Sequence, residues 1–169
     1  MLNPSNRVWY SGDGDPHAFV DVLEKIKELK GANPELEVHV GTDSDPNGKK
    51  YAIATGIGIL FPGRGGIYFW TRDYMDPKKT PSMGQRLELE VTHSISVADT
   101  LKKLLDISVD IIIHVDCSTN PKHASTKHLK RLKNFALGMN YKVIVKPDSW
   151  AASCLADRHA KSSSLPRNK

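Results

Sequence analysis

The sequence predicts an α/β domain: a five-stranded mixed sheet, three antiparallel strands followed by two parallel ones, flanked by helices and preceded by an extra N-terminal helix. Three observations predict it. Asn47-Gly48 and the run PGRGG at residues 62–66 separate three strand-like stretches, as in a meander of hairpins. After residue 84, helical and strand patterns alternate, which implies right-handed crossovers and parallel strands. The run IIIHV at 111–115 is almost wholly apolar, as expected of a strand buried on both faces.

Each element has its own signal. Asp15-Pro16 reads as a helix start, with Asp as N-cap and Pro in the first turn. Phe19, Val22, Leu23, Ile26 and Leu29 follow at helical spacing, and Gly31 and Pro34 end the pattern. Residues 37–43 (EVHVGTD) form the first strand, 51–61 the second and 67–74 the third. A loop with two prolines and two lysines leads to a long helix over about 85–105, with Leu87, Val91, Ile95, Ala98, Leu101 and Leu105 on its apolar side. Residues 110–115 are the fourth strand. A helix over 125–137 turns Leu129, Leu132 and either Phe135 or Ala136 inward, 141–145 is the fifth strand, and 150–161 the last helix. The chain thus divides into an N-terminal extension and helix packed on the core (1–36), a main domain (37–161) and a polar tail, SSSLPRNK, expected to be disordered (162–169).

Composition bounds the function. A chain of 169 residues, 39% hydrophobic and 25% charged, suits one soluble globular domain. No apolar run approaches a membrane span, and the first residues lack the pattern of a signal peptide, so a cytoplasmic location is expected. Cys117 and Cys154 fit a reducing compartment and offer no zinc spacing. No P-loop supports an ATPase. The net charge is +5, yet residues 121–146 carry seven positive charges and no acid, leaving −2 for the rest. A basic block beside an acidic remainder suggests a polyanionic partner. The helix from Ser125 contributes Lys127, Lys130, Arg131 and Lys133, a row able to neutralise phosphates without reading sequence.

Four acids stand out: Asp43 in GTDS, Glu88 in RLELE, Asp116 in HVDCS and Asp157 in LADRHAK. Asp43 and Asp116 end the first and fourth strands, which should be parallel neighbours, and ligands in open α/β sheets favour such strand ends. Clustered carboxylates repel one another unless a cation sits among them. Asp45 rivals Asp43, although Asp-Pro reads as turn chemistry. Glu90 rivals Glu88. The two lie about 200° apart on a helix, so both cannot face one pocket. Glu88 borders the apolar stripe. Asp157 is also placed to pair with Arg158 or Lys161. His114 reads as a core residue, and Cys117 beside Asp116 raises a thiol nucleophile that nothing in the spacing requires. Trp70 and Trp150 could stack bases, with core packing the plainer role.

The element order and these stretches resemble the ribonuclease H-like three-layer fold. RLEL after Gly84-Gln85 looks like that family's first core helix, HVDCS like its fourth strand and ADRHAK like its last helix. GTDS and VKPDSWAAS also resemble the YkuK family of uncharacterised bacterial proteins. The resemblance implies a Mg²⁺- or Mn²⁺-dependent nuclease hydrolysing RNA or an RNA:DNA hybrid with two ions about 3.5–4 Å apart. Asp43 would bridge the ions, assisted by Glu88, Asp116 and Asp157, giving 5′-phosphate and 3′-hydroxyl products. It further implies that Gln85 approaches the minor groove, where the 2′-hydroxyl marks RNA. Lys78, Lys79 and Ser82 could hold phosphate. Many ribonucleases H carry a histidine on the loop before the last helix. Here that loop reads KPDSW, with Lys146, Asp148 and Ser149. Two other readings stay open: a binding module of the same fold with little catalysis, and a DNA resolvase or exonuclease.

Overall fold

The computed structural model describes residues 3–45, 51–75 and 81–161. The Asn47-Gly48 turn, the loop lysines Lys78 and Lys79 and the polar tail lie outside the described residues. A seven-stranded sheet runs in the order β2-β1-β5-β4-β3-β6-β7, with β1 Trp9–Ser11, β2 Pro16–His17, β3 Glu37–Asp45, β4 Tyr51–Phe61, β5 Gly65–Met75, β6 Asp110–Val115 and β7 Lys142–Val145. The helices are α1 Phe19–Ala32, α2 Met83–Leu104, α3 Thr126–Gly138 and α4 Asp157–Lys161, the last entered through a π-helical turn, Ala151–Ala156.

The expected sheet is present at its centre. β3, β4 and β5 form the antiparallel meander, β3 pairs in parallel with β6 (Val40↔Ile113), and β6 with β7 (Val115↔Val145). The two extra strands sit at the edge, where Tyr10 pairs with Trp70 and Pro16 with Tyr10. Elements of three and two residues are too short to show periodicity, so sequence pattern passes over them. The helix expected to start at Asp15-Pro16 begins instead at Phe19. Pro16 lies in an edge strand, where its missing N–H costs nothing. Asp21 reaches back to accept the Ala18 N–H at 2.7 Å, which satisfies an orphan donor of the first turn.

Strand residues alternate between two unlike faces. Val38, Val40, Ile57, Ile59, Ile111 and Ile113 face α1, α2 and α3 and form the main core with Phe19, Ile26, Leu87, Val91, Ile95 and Leu101. The opposite face is nearly bare of side chains at Gly41, Gly56 and Gly58, and there the π-turn lies directly on the sheet. A Cβ on Gly41 would collide with the backbone of Ala151 and Ala152, and one on Gly58 with the Trp150 ring. The last helix was expected to be continuous from residue 150; its first six residues are π-helical, a form that recurs at functional sites.

Candidate functional site

The parallel pairing of β3 with β6 brings the ends of both strands together, and the acids meet there. Asp43 lies near the end of β3, only 6% exposed. Its carboxyl is pushed up to about 8 by burial, then by the charge of Glu90, by a hydrogen bond with Asp157 and by the charges of Asp116 and Asp157. Three carboxylates from three different elements therefore act on Asp43 at once. Asp116 follows β6 directly, and Asp157 is the first residue of α4.

Glu90, not Glu88, is the α2 acid that joins them. Glu90 is 3% exposed and accepts a 2.5 Å hydrogen bond from Ser44 Oγ. Burial raises its carboxyl to about 7, against the pull of Ser44 and Arg86, whose Nε lies 3.7 Å away. The Glu88 side chain is 52% exposed and paired at 2.9 Å with Arg131 on α3. Helix phase thus turns Glu88, the acid expected from sequence, away from the other three. Ser94, Ala98 and Leu101 widen the buried stripe toward the side that carries Glu90, and the polar Ser94 is the signal that would have found it. Ser94 Oγ donates to Thr42 Oγ1 at 2.9 Å, fixing the α2 face against β3 one turn below Glu90.

Two lysines complete the cluster. Lys146 Nζ lies 2.7 Å from Asp116 Oδ1, and Lys161 Nζ 2.5 Å from Asp157 Oδ1. Lys161 also feels Asp43 and Asp45. Asp45, read from sequence as turn chemistry, is the last residue of β3 and pairs with Ala52. As they stand, among the described residues, no three His, Cys, Asp or Glu side chains are arranged to hold a metal ion. The acids are turned instead to the two lysines, to Ser44 and to each other. The donor set itself suits a hard divalent cation, since it consists of carboxylates with neither thiolate nor imidazole. Cys117 does not add to it. Its Sγ donates to Ser125 O at 3.3 Å, and burial followed by the Asp116 charge holds the thiol up near 11, which also removes the thiolate a nucleophile would need.

Beneath the cluster lies a buried histidine pair. His39 Nε2 is 3.2 Å from the Glu37 carboxylate, so it must carry a proton; Nδ1 then accepts from His114 Nε2 at 2.8 Å, and His114 Nδ1 accepts the Ala151 N–H at 3.3 Å. Both rings are neutral, burial lowering His39 and taking His114 to about 4. His114 is thus the core residue expected from sequence, and it anchors the start of the π-turn that delivers Asp157. Trp150 packs on both imidazoles at 5.1 and 5.2 Å, and Trp70 stacks on His159 at 3.9 Å. Trp70 is buried and Trp150 half-buried.

The expected nucleic-acid contacts divide. Lys127, Lys130, Arg131 and Lys133 are all exposed on α3. That helix starts close to the start of α2, with the His128 ring against Gly84, and Arg131 of its basic row reaches Glu88, two residues from Glu90. Gln85 is exposed but engaged: its Oε1 accepts the Ser82 N–H at 2.9 Å, and Ser82 Oγ accepts the Gln85 N–H at 3.4 Å, a capping box. Ser82 is accordingly a cap in this structure.

Comparison with protein families identifies the chain's family. The family model described as Ribonuclease H-like matches residues 21–161, most of the chain and all four acids of the cluster, so the chain belongs to that family. No curated protein matches it.

Proposed function

We propose that this ribonuclease H-like protein is a phosphodiesterase that hydrolyses RNA or an RNA:DNA hybrid with the help of Mg²⁺ or Mn²⁺, two ions serving one site. The observation that carries the reading is the convergence of Glu90, Asp116 and Asp157 on the buried Asp43, beside an exposed row of cations. Such mutual repulsion is costly in a protein without ligand and is relieved when divalent charge is bound. Asp43, Asp116 and Asp157 keep the roles expected from sequence, and Glu90 takes the place of Glu88. Bound there, the ions would supply an activated water and stabilisation of the leaving oxygen.

The chain's own residues do the rest. Ser44 orients Glu90 through its 2.5 Å hydrogen bond. The His114–Ala151 bond and the bare glycine floor hold the π-turn at a fixed height on the sheet, and so set where Asp157 meets Asp43. Lys127, Lys130 and Lys133 would take backbone phosphates on the flank, which gives affinity and salt dependence but no sequence preference.

Cleavage of a labelled RNA:DNA hybrid in Mn²⁺ tests the proposal. Asp43→Asn and Asp116→Asn should each abolish it, and full activity in both variants would sink the mechanism. A second reading, a binding module with little catalysis, draws on the lysine ammoniums that already neutralise Asp116 and Asp157. Calorimetric titration with Mn²⁺ separates the two, since the binding module takes up no ion near millimolar. A panel of hybrid, duplex RNA, single strands and a four-way junction separates the ribonuclease from a DNA resolvase or exonuclease.

A further inference from the structure

We infer that Lys146 is a resident counter-ion of the acidic cluster, which yields Asp116 to an incoming divalent cation and then takes a non-bridging oxygen of the substrate phosphodiester. The inference rests on the metal-dependent reading above. The backbone of Lys146 is fixed: its N–H donates to Cys117 O at 3.1 Å, continuing the β6–β7 pairing one step past Val115↔Val145. The next turn is closed by Asp148 N–H on Val145 O at 3.0 Å. Lys146 and Asp116 therefore stand side by side at the carboxyl ends of adjacent parallel strands, where ligands of open α/β sheets bind.

The two partners differ in burial. The Lys146 side chain is 42% exposed and that of Asp116 only 16%. The ammonium thus covers the outer side of the carboxylate and faces solvent with the rest of its surface. An ion pair of this kind is weak, because water screens it and the long side chain loses freedom in it. A divalent ion held by several carboxylates outcompetes one ammonium at Asp116. The displaced ammonium stays tethered by its fixed backbone within one side-chain length of the cluster, on the solvent side from which a polyanion must approach.

Calorimetric titration of the metal-free protein with MnCl₂ tests the exchange apart from any activity. Lys146→Met should bind Mn²⁺ roughly three- to tenfold more tightly than the wild type, the range expected for loss of a competing ion pair of about 0.7–1.4 kcal/mol. Lys146→Arg should stay near the wild-type value. Steady-state cleavage of an RNA:DNA hybrid at saturating Mn²⁺ reads the second half, with KM raised about tenfold in Lys146→Met and largely kept in Lys146→Arg. Mn²⁺ affinity equal to or below wild type in Lys146→Met, with an unchanged Tm, overturns the counter-ion role. An unchanged KM overturns the phosphate role. Absence of Mn²⁺ binding in wild type and Lys146→Met alike refutes the metal-dependent reading itself. Binding only in Lys146→Met supports the competition outright.

Discussion

Replacing Asp43 by Asn should stabilise the metal-free fold, and by an amount that grows with pH. The Asp43 carboxyl holds its proton up to about 8, whereas an unperturbed Asp releases it near 3.8. Between those values the native state binds more protons than the unfolded state, so stability is highest below the lower value and is lost as pH rises through the upper one. At about 1.4 kcal/mol per pH unit, a gap of this size sets a ceiling of about 5 kcal/mol at pH 8. The hydrogen bond with Asp157 and the charge of Glu90 tie the titration of Asp43 to theirs, which reduces what one substitution recovers, and about 2 kcal/mol is expected. Asn matches the shape of the protonated acid and keeps a donor for Asp157. In a domain of this length that gain raises Tm by about 4–8 °C. Thermal denaturation in EDTA at pH 4, 6 and 8 measures it: the increase should be largest at pH 8 and near zero at pH 4. A Tm at pH 8 equal to or below that of the wild type would refute the claim that uncompensated carboxylate charge is stored at this point.

Four further outcomes follow from the same structure. Glu90→Gln should abolish the Mn²⁺ response in calorimetry, while Glu88→Gln should preserve it and shift Tm by less than about 3 °C, as loss of an exposed ion pair allows; the reverse order would restore Glu88 to the site. Burial holds His93, His114 and His159 down to about 4, so each adds stability that is complete above the ordinary 6.5 and lost as pH falls toward 4. This slope opposes that of Asp43, and urea titrations should show stability rising more steeply from pH 4 to 6.5 in Asp43→Asn than in wild type. Gly41→Ala should cost about 2 kcal/mol or more, because the obstacle is backbone rather than a movable side chain, and circular dichroism melts should show Tm lowered by several degrees. Neutralising Lys127, Lys130 and Lys133 together should weaken hybrid binding uniformly across sequences and lower the slope of log affinity against log salt by roughly 2–3, read by fluorescence anisotropy.

The central sheet was legible in the sequence, because turn signals bound the runs of β3 to β5 and the short apolar run of β6 has the character of a strand buried on both faces. The sequence also singled out Asp43 and Asp116, because strand order made their ends neighbours before any contact was known. The basic character of α3 was equally legible, since the total absence of acids over residues 121–146 is a property of the sequence alone. Tertiary structure alone decided between Glu88 and Glu90. On the helix both border the apolar stripe, and only the docking of α2 on β3, fixed by Ser94 on Thr42 and Ser44 on Glu90, turns one inward and leaves the other to Arg131. It decided likewise that Lys146 stands among the acids, since a pair of charges distant in sequence shows no preference until packing places it, whereas the Asp157–Lys161 pair, one helical turn apart, was already open in the sequence. The edge strands and the π-turn belong to the same class. A three-residue strand has no period, and a helix widened to rest on three glycines takes its form from the surface beneath it rather than from its own residues.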